Sequence, residues 1–199
     1  MKDHFAHKAK NWDEGTNRQS TPLAIAEAIE KKITLTPQMT VIDFGVGTGL
    51  LGFEIAKKVK KVYGVDMSPS MLEQLKKKNT PELSIEPIEQ DIVKEPLDLV
   101  VDGIVSSMTL HHVEDLEAFF QSIYKNVKKG GFIAIADLEL EDGTFHSDNT
   151  GVYHYGFDTE SLLKIVQKSG FYNALIQRVT TIKKPHKEYG VFLLTAKKL

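Results

Sequence analysis

Apolar residues recur at helical spacing through LAIAEAIEKKI, 23–33, and the spacing predicts a helix there, with Thr21 as its N-cap and Pro22 at its first position. After Pro37 the rhythm changes. Short continuous apolar runs predict strands over 39–44, 61–66, 83–91, 100–108 and 130–140. Amphipathic stretches between them predict helices over 50–59, 68–78, 114–127 and 158–170. Ser68 caps the third helix, Pro69 opens it and lysines close its negative end; Asp158 caps the last and Gly170 stops it. Runs at 174–182 and 189–199 follow with no helix between them and read as an antiparallel pair. The alternation predicts an α/β fold: a mostly parallel sheet, helices on both faces, and an antiparallel edge.

In such a sheet ligands bind at the carboxyl ends of the strands, where the strand order reverses. The segment VIDFGVGTGLLG, 41–52, leaves the first strand there and places four glycines between 45 and 52. Glycine in that position lets backbone approach a ligand, and amides at the next helix N-terminus favour a negative group. Asp66 ends the second strand, placed to accept both hydroxyls of a ribose. A dinucleotide fingerprint needs glycine or alanine where this chain has Leu50, and Asp43 would crowd a pyrophosphate. Asp43 suits instead a ligand with an amino group. The residues point to an amino-acid nucleoside and away from a nicotinamide-dependent oxidoreductase.

Composition narrows the chemistry chiefly by what is missing. Cysteine is absent from the 199 residues, which excludes disulfides, thiolate metal sites and a cysteine nucleophile. A net charge of −2 supplies no global field for nucleic acid or an anionic membrane. The lysine runs at 57–61, 76–78 and 128–129 lack interleaved aromatics and read as solvated surface. The N-terminus lacks an apolar signal core and no run reaches membrane-spanning length, so the expectation is a cytoplasmic protein.

DFGVGTG resembles motif I of the class I S-adenosylmethionine-dependent methyltransferases, and VYGVDMS resembles their second motif. EQDI, 89–92, VSSMTLHHVED, 105–115, and KKGGFIAIADL, 128–138, are similar to the segments after strand three, after strand four and at strand five of the family's small-molecule members. The likeness covers 39–140, and the two last runs fit the family's terminal hairpin. It implies a three-layer Rossmann-like sandwich with a seven-stranded sheet, order 3-2-1-4-5-7-6, strand 7 antiparallel. It also implies an arm or lid over 1–22 and one domain over 23–199, with a cofactor half at 39–140 and a substrate roof at 141–158. The implied activity is transfer of a methyl group from S-adenosylmethionine to a small molecule, leaving S-adenosylhomocysteine. A non-catalytic binding protein on the same fold is the alternative. Gly45, Gly47 and Gly49 would line the methionine portion, with Asp43 near its ammonium. Asp66 would hold the ribose, Met67 the adenine face, Asp91 the adenine amino group and Ile92 the ring edge; Ser107 would run beneath the sulfonium. The tetrads of nucleic-acid amino methyltransferases are absent after strand four, and arsenite methylation lacks its cysteines.

Acceptor-side candidates come from residue type and place. His111 and His112 stand at the mouth of the expected site, where an imidazole can act as base or pack a turn. Phe145, His146, Tyr153, His154 and Tyr155 crowd the segment expected to roof it, suiting a flat, apolar or cationic acceptor. Trp12 lies in a polar arm able to close as a lid. No compact metal-ligand set appears; His4 and His7 share helical spacing, and His146 and His154 share a loop. Which element is methylated and how many copies assemble do not follow from these residues.

Overall fold

The computed structural model describes residue 3 and residues 6–199; Phe5, and the His4 of the His4–His7 pair, lie outside the described residues. Seven strands form one sheet: β1 (Thr40–Phe44), β2 (Lys61–Asp66), β3 (Ile85–Glu89), β4 (Val101–Ser107), β5 (Val127–Leu138), β6 (Phe171–Lys184) and β7 (Lys187–Lys198). Their order is β3-β2-β1-β4-β5-β7-β6, as the resemblance implied. β7 runs antiparallel to β5 and β6, and the remaining pairings are parallel.

Strand alternation builds two apolar layers. Val41, Phe132, Ala134 and Ala136 turn to one face, where α1 (Thr16–Lys32), α2 (Leu50–Ala56) and α3 (Pro69–Lys78) contribute Ile25, Ile29, Leu51, Ile55, Leu72 and Leu75. Ile42, Ile104, Ile133 and Ile135 turn to the other, against Phe119, Phe120 and Ile123 of α4 (Leu116–Asn126) and Leu162 and Val166 of α5 (Thr159–Lys168). Asp137 continues the second set and is the only carboxylate in β5.

The caps read from the sequence are present. The Ser68 hydroxyl accepts from the Met71 amide at 3.2 Å and Asp158 from the Ser161 amide at 2.9 Å. Asp115 caps α4 the same way, so that helix starts two residues later than expected.

The N-terminal boundary differs. α1 begins at Thr16 after Gly15, which adopts φ 102°, so Pro22 lies inside the helix and Thr21 is buried, not capping. Proline removes one ladder donor, to the Arg18 carbonyl, but a single lost bond is outweighed where the next turns anchor Ile25 and Ile29 in the core. The segment before α1, in which Ala9–Asn11 form a 3-10 helix, therefore ends at residue 15, and the helix takes up 16–22 of the expected arm.

The β6–β7 hairpin overshoots the sheet. Val191 pairs with Leu138, the last residue of β5, while the hairpin continues to the Lys184–Lys187 pair. Its tip projects beyond the carboxyl edge of the parallel strands, beside the loop that follows β5. Among the described residues no helix is long and apolar enough to cross a membrane.

Candidate active site

The loop between β1 and α2 is held by the sheet. The amides of Gly45 and Val46 both donate to the Val65 carbonyl, at 2.8 and 3.1 Å. Gly45, Gly47 and Gly49 take φ values of 67°, 52° and 88°, a region costly for any residue with a Cβ. Their surroundings differ. A Cβ on Gly45 would lie 2.1 Å from Thr109 Cγ2, so this glycine makes room for a neighbouring turn. A Cβ on Gly47 would meet nothing within 4 Å, so this one borders open space. Gly52, in the first turn of α2, was not among the expected site residues. A Cβ there would lie 2.8 Å from both Asp43 Oδ2 and Ile85 Cδ1; the signal was its place at the end of the glycine-rich stretch.

Asp43, 1% exposed, sits beneath this loop, and its Oδ2 is buried without a hydrogen-bond partner. Burial, then the charge of Asp66, pushes its carboxyl well above the usual range; the Gly52 amide opposes this. Asp66 accepts from the Gly47 amide at 2.7 Å and the Ser68 amide at 2.9 Å. Burial raises its pKa too, against these backbone donors. The two acids therefore bracket the loop on adjacent strands.

Met67 is half-exposed beside Asp66. Asp91 caps the turn after β3 through the Val93 and Lys94 amides at 3.2 and 3.3 Å, and its other oxygen pairs with Lys94 Nζ at 3.1 Å. Ile92 does not lie open beside these groups. Its side chain is buried in the core with Val65, Leu97 and Val101, because the turn following β3 dives under α4.

At the exit of β4, Ser106 is buried and donates to the Phe44 carbonyl at 2.7 Å, tying β4 to β1. The Ser107 carbonyl accepts from Thr109 Oγ1, and Met108 is turned into the left-handed region at φ 56°. Then the two histidines part company. His111, 1% exposed, sets Nδ1 2.8 Å from Asp137 Oδ1, and its amide donates to Asp137 Oδ2 at 3.1 Å. Burial alone would raise Asp137, but the charge and hydrogen bonds of His111, with the Leu138 amide, hold its carboxyl below the usual range. His111 Nε2 is buried without a partner. His112 instead places Nδ1 2.7 Å from the Gly151 carbonyl, pinning the roof loop.

The roof splits as well. His146 stacks against His111 with ring centroids 4.8 Å apart, and its Nε2 is also buried without a partner. Burial, then the charges of His111 and His112, lowers His146 to about 4. Phe145 packs on Tyr189 of the hairpin tip, whose hydroxyl meets Thr144 Oγ1 at 2.6 Å. His154 does not join this group: it reaches the Val113 carbonyl at 2.8 Å and stacks on Phe157, over toward α4. Tyr153 and Tyr155 are 55% and 46% exposed, so they point outward instead of roofing the site. Asp137 escaped the sequence reading although a lone carboxylate inside FIAIADL was its signal; Thr109 carried none.

The arm crosses the glycine loop. Asp13 accepts from Thr48 Oγ1 at 2.5 Å and from Lys78 Nζ at 2.8 Å, and Trp12 stacks under the Arg18 guanidinium at 3.9 Å. Asp3 accepts from Ser68 Oγ and the Ser70 amide, next to Asp66. Among the described residues no group of three or more His, Asp or Glu side chains is placed to hold a metal ion.

Residues 42–135 match the family model described as a methyltransferase domain, which spans the glycine loop, both acids and His111. Over those residues the chain carries a methyltransferase domain, on the Rossmann-like fold of the S-adenosylmethionine-dependent enzymes. An uncharacterized methyltransferase of Schizosaccharomyces pombe is 30% identical over 155 residues, 68% of this chain and 54% of that protein. One of Oceanobacillus iheyensis is 30% identical over 118 residues, 58% and 54%. The chain thus spans about half the length of these curated relatives. Magnesium protoporphyrin IX methyltransferase of Synechocystis, solved with bound SAH, superposes with TM-score 0.76 at 18% identity, covering 99% of this chain and 97% of that one. Phosphoethanolamine N-methyltransferase 2 of Haemonchus contortus, solved with S-adenosyl-L-methionine, gives 0.68 at 17%, covering 96% and 59%. These likenesses carry the fold.

Proposed function

We propose that this methyltransferase moves a methyl group from S-adenosylmethionine to a small-molecule acceptor by in-line displacement. The observation that carries the reading is the buried Asp43 carboxylate with one oxygen unpartnered beneath a loop whose Gly47 borders open space. A buried carboxylate with an unpartnered oxygen is costly, and a ligand ammonium relieves that cost. The S-adenosylmethionine-bound and SAH-bound relatives of the same fold support the choice of nucleoside.

Gly45, Gly47 and Gly49 would admit the methionine portion, Asp66 would accept from the ribose, and Asp91 would meet the adenine. Met67 would cover one ring face, while Ile92 contributes from within the core and not as an open contact. When bound, the nucleoside supplies a sulfonium methyl already activated toward nucleophiles. The protein's task is then orientation, an effect worth roughly 7–11 kcal/mol at its limit. The Trp12–Asp13 arm closes over the loop, and Phe145 with His146 covers the acceptor side.

Calorimetric titration tests this with S-adenosylmethionine, S-adenosylhomocysteine and NADH, on wild type and Asp66→Ala. Micromolar binding of both sulfur nucleosides, lost in the variant and absent for NADH, is the expected result. Failure of both to bind the wild type removes the reading.

A further inference from the structure

Resting on that function, we infer that the tip of the β6–β7 hairpin sets the shape of the acceptor roof, with Tyr189 as the positioning residue. The reason begins in the sheet. β5 last pairs with the hairpin at Leu138 and Val191, so the pairs from Ile182–Tyr189 to Lys184–Lys187 continue past it as a two-stranded ribbon. Such a ribbon is marginally stable by itself. Its third partner is the roof: Tyr189, 2% exposed, packs against Phe145 with ring centroids 5.1 Å apart.

Polar contacts then run from hairpin to roof in one direction. Hydrogen bonds from Thr144 and then Lys187 hold the Asp142 carboxyl well below the usual range, so it is ionised and can only accept. Thr144 Oγ1 therefore gives its proton to Asp142 Oδ1 at 2.5 Å. The Tyr189 hydroxyl, 2.6 Å from Thr144 Oγ1, must donate to it, and His186 Nε2, 2.9 Å from Tyr189, donates to the phenol oxygen. Lys187 joins the hairpin to Asp142 Oδ2 at 2.9 Å, but this pair is exposed and adds little. Tyr189 is buried, so its bond carries the anchor. Lys184 supports it: the ammonium donates to the Phe145 carbonyl and lies 4.2 Å from the Phe145 ring centroid. Within the roof, the amides of Thr144 and Phe145 close on Glu141 Oε2 at 2.9 and 3.2 Å.

The roof has a second anchor at its other end. The Tyr153 and His154 amides donate to the His111 carbonyl at 3.0 and 3.3 Å, and His112 Nδ1 lies 2.7 Å from the Gly151 carbonyl. That anchor fixes 151–154. The hairpin tip fixes 141–146, the stretch that carries Phe145 and the His146 ring stacked on His111. Changes in the tip therefore act on the acceptor side and spare the nucleoside side on β1 and β2. His146 reports them. Burial, then the charges of His111, His112 and Lys184, hold it at about 4, with Asp137 opposing. Release of the roof relieves that burial, and the ring returns toward about 6.5.

Amide hydrogen exchange and NMR titration of His146, with S-adenosylhomocysteine bound, test the inference on wild type, Tyr189→Phe, Thr144→Val and Thr144→Ser. Tyr189→Phe and Thr144→Val should each speed exchange at the Thr144 and Phe145 amides about fivefold or more, the equivalent of one hydrogen bond. Both should move the His146 titration from about 4 toward about 6.5. Thr144→Ser, which keeps the hydroxyl, should match wild type. Exchange at the Tyr153 and His154 amides and affinity for S-adenosylhomocysteine should stay within about twofold throughout, which shows that the variants fold and that the effect is confined to 141–146. Unchanged exchange at Thr144 and Phe145, an unmoved His146 titration, no rescue by serine, or equal loosening at 153–154 overturns the inference. Failure of wild type to bind S-adenosylhomocysteine strikes instead at the proposed function, and exchange and titration still decide whether the tip holds the roof.

Discussion

Asp43 and Asp137 are both fully buried carboxylates, and their environments push them in opposite directions. Asp137 has the His111 ring and two amides, and its depressed pKa means that its stabilisation holds above the unfolded value, about 3.9, and is lost as pH falls through the folded one. Asp43 has a raised pKa, so the unfolded chain ionises first and the ligand-free fold loses stability as pH climbs from about 3.9 toward the folded value. Asp43→Asn should flatten that decline, seen as a shallower fall in Tm between acid and neutral pH. The same change should weaken S-adenosylhomocysteine binding by about 10–100-fold, the equivalent of one charge-assisted hydrogen bond, measured by calorimetry. Asp43 was legible from its two-residue offset before Gly45. The partnership of Asp137 and His111 was not, because it joins the ends of β5 and the turn after β4 across 26 residues, and register alone brings them together.

At the level of elements, the junction of β1 with α2 is as tight against β4 as it is open toward ligand. Thr109 fills the space a Gly45 Cβ would take, and its hydroxyl reaches the carbonyls of Gly45 and Ser107 at 3.3 and 3.1 Å. Gly45→Ala combines a left-handed φ with a collision against a packed turn. It should cost about 2–5 kcal/mol in denaturant unfolding and abolish nucleoside binding. Thr109→Ala removes only the hydroxyl and one methyl, and should cost about 1–2 kcal/mol with binding retained. If Gly45→Ala proves as mild as Thr109→Ala, the junction is not rigid. Asp115 was not read as a cap, but strands were readable from period and two helix starts from the caps Ser68 and Asp158, since each is a local preference. The start of α1 was not. Proline marks a helix start by local rule, but burial of Thr21, Ile25 and Ile29 carries the helix through it, and no window of sequence holds that information.

Across the whole molecule, the arm differs from the sheet in what holds it. The sheet is fixed by two continuous apolar layers, whereas Asp13 anchors the arm through Thr48 and through a half-exposed ion pair with Lys78, whose net contribution is about 0–1 kcal/mol. Segments so held open well before the core unfolds. A loop that must admit a nucleoside needs a cover of this strength, because a stronger one would slow exchange of substrate for product. Trp12 is the sole tryptophan and lies in this arm against Arg18, so its fluorescence reports the cover directly. Asp13→Ala should lower stability by less than about 2 kcal/mol yet speed S-adenosylhomocysteine release about tenfold, followed by stopped-flow Trp12 emission. Added salt should speed release from wild type and have little effect on the variant, since screening acts on the anchor the variant lacks. Equal release rates in the two proteins would mean that the arm packs beside the site without closing it, and that retention of the nucleoside falls to Asp43 and Asp66 alone.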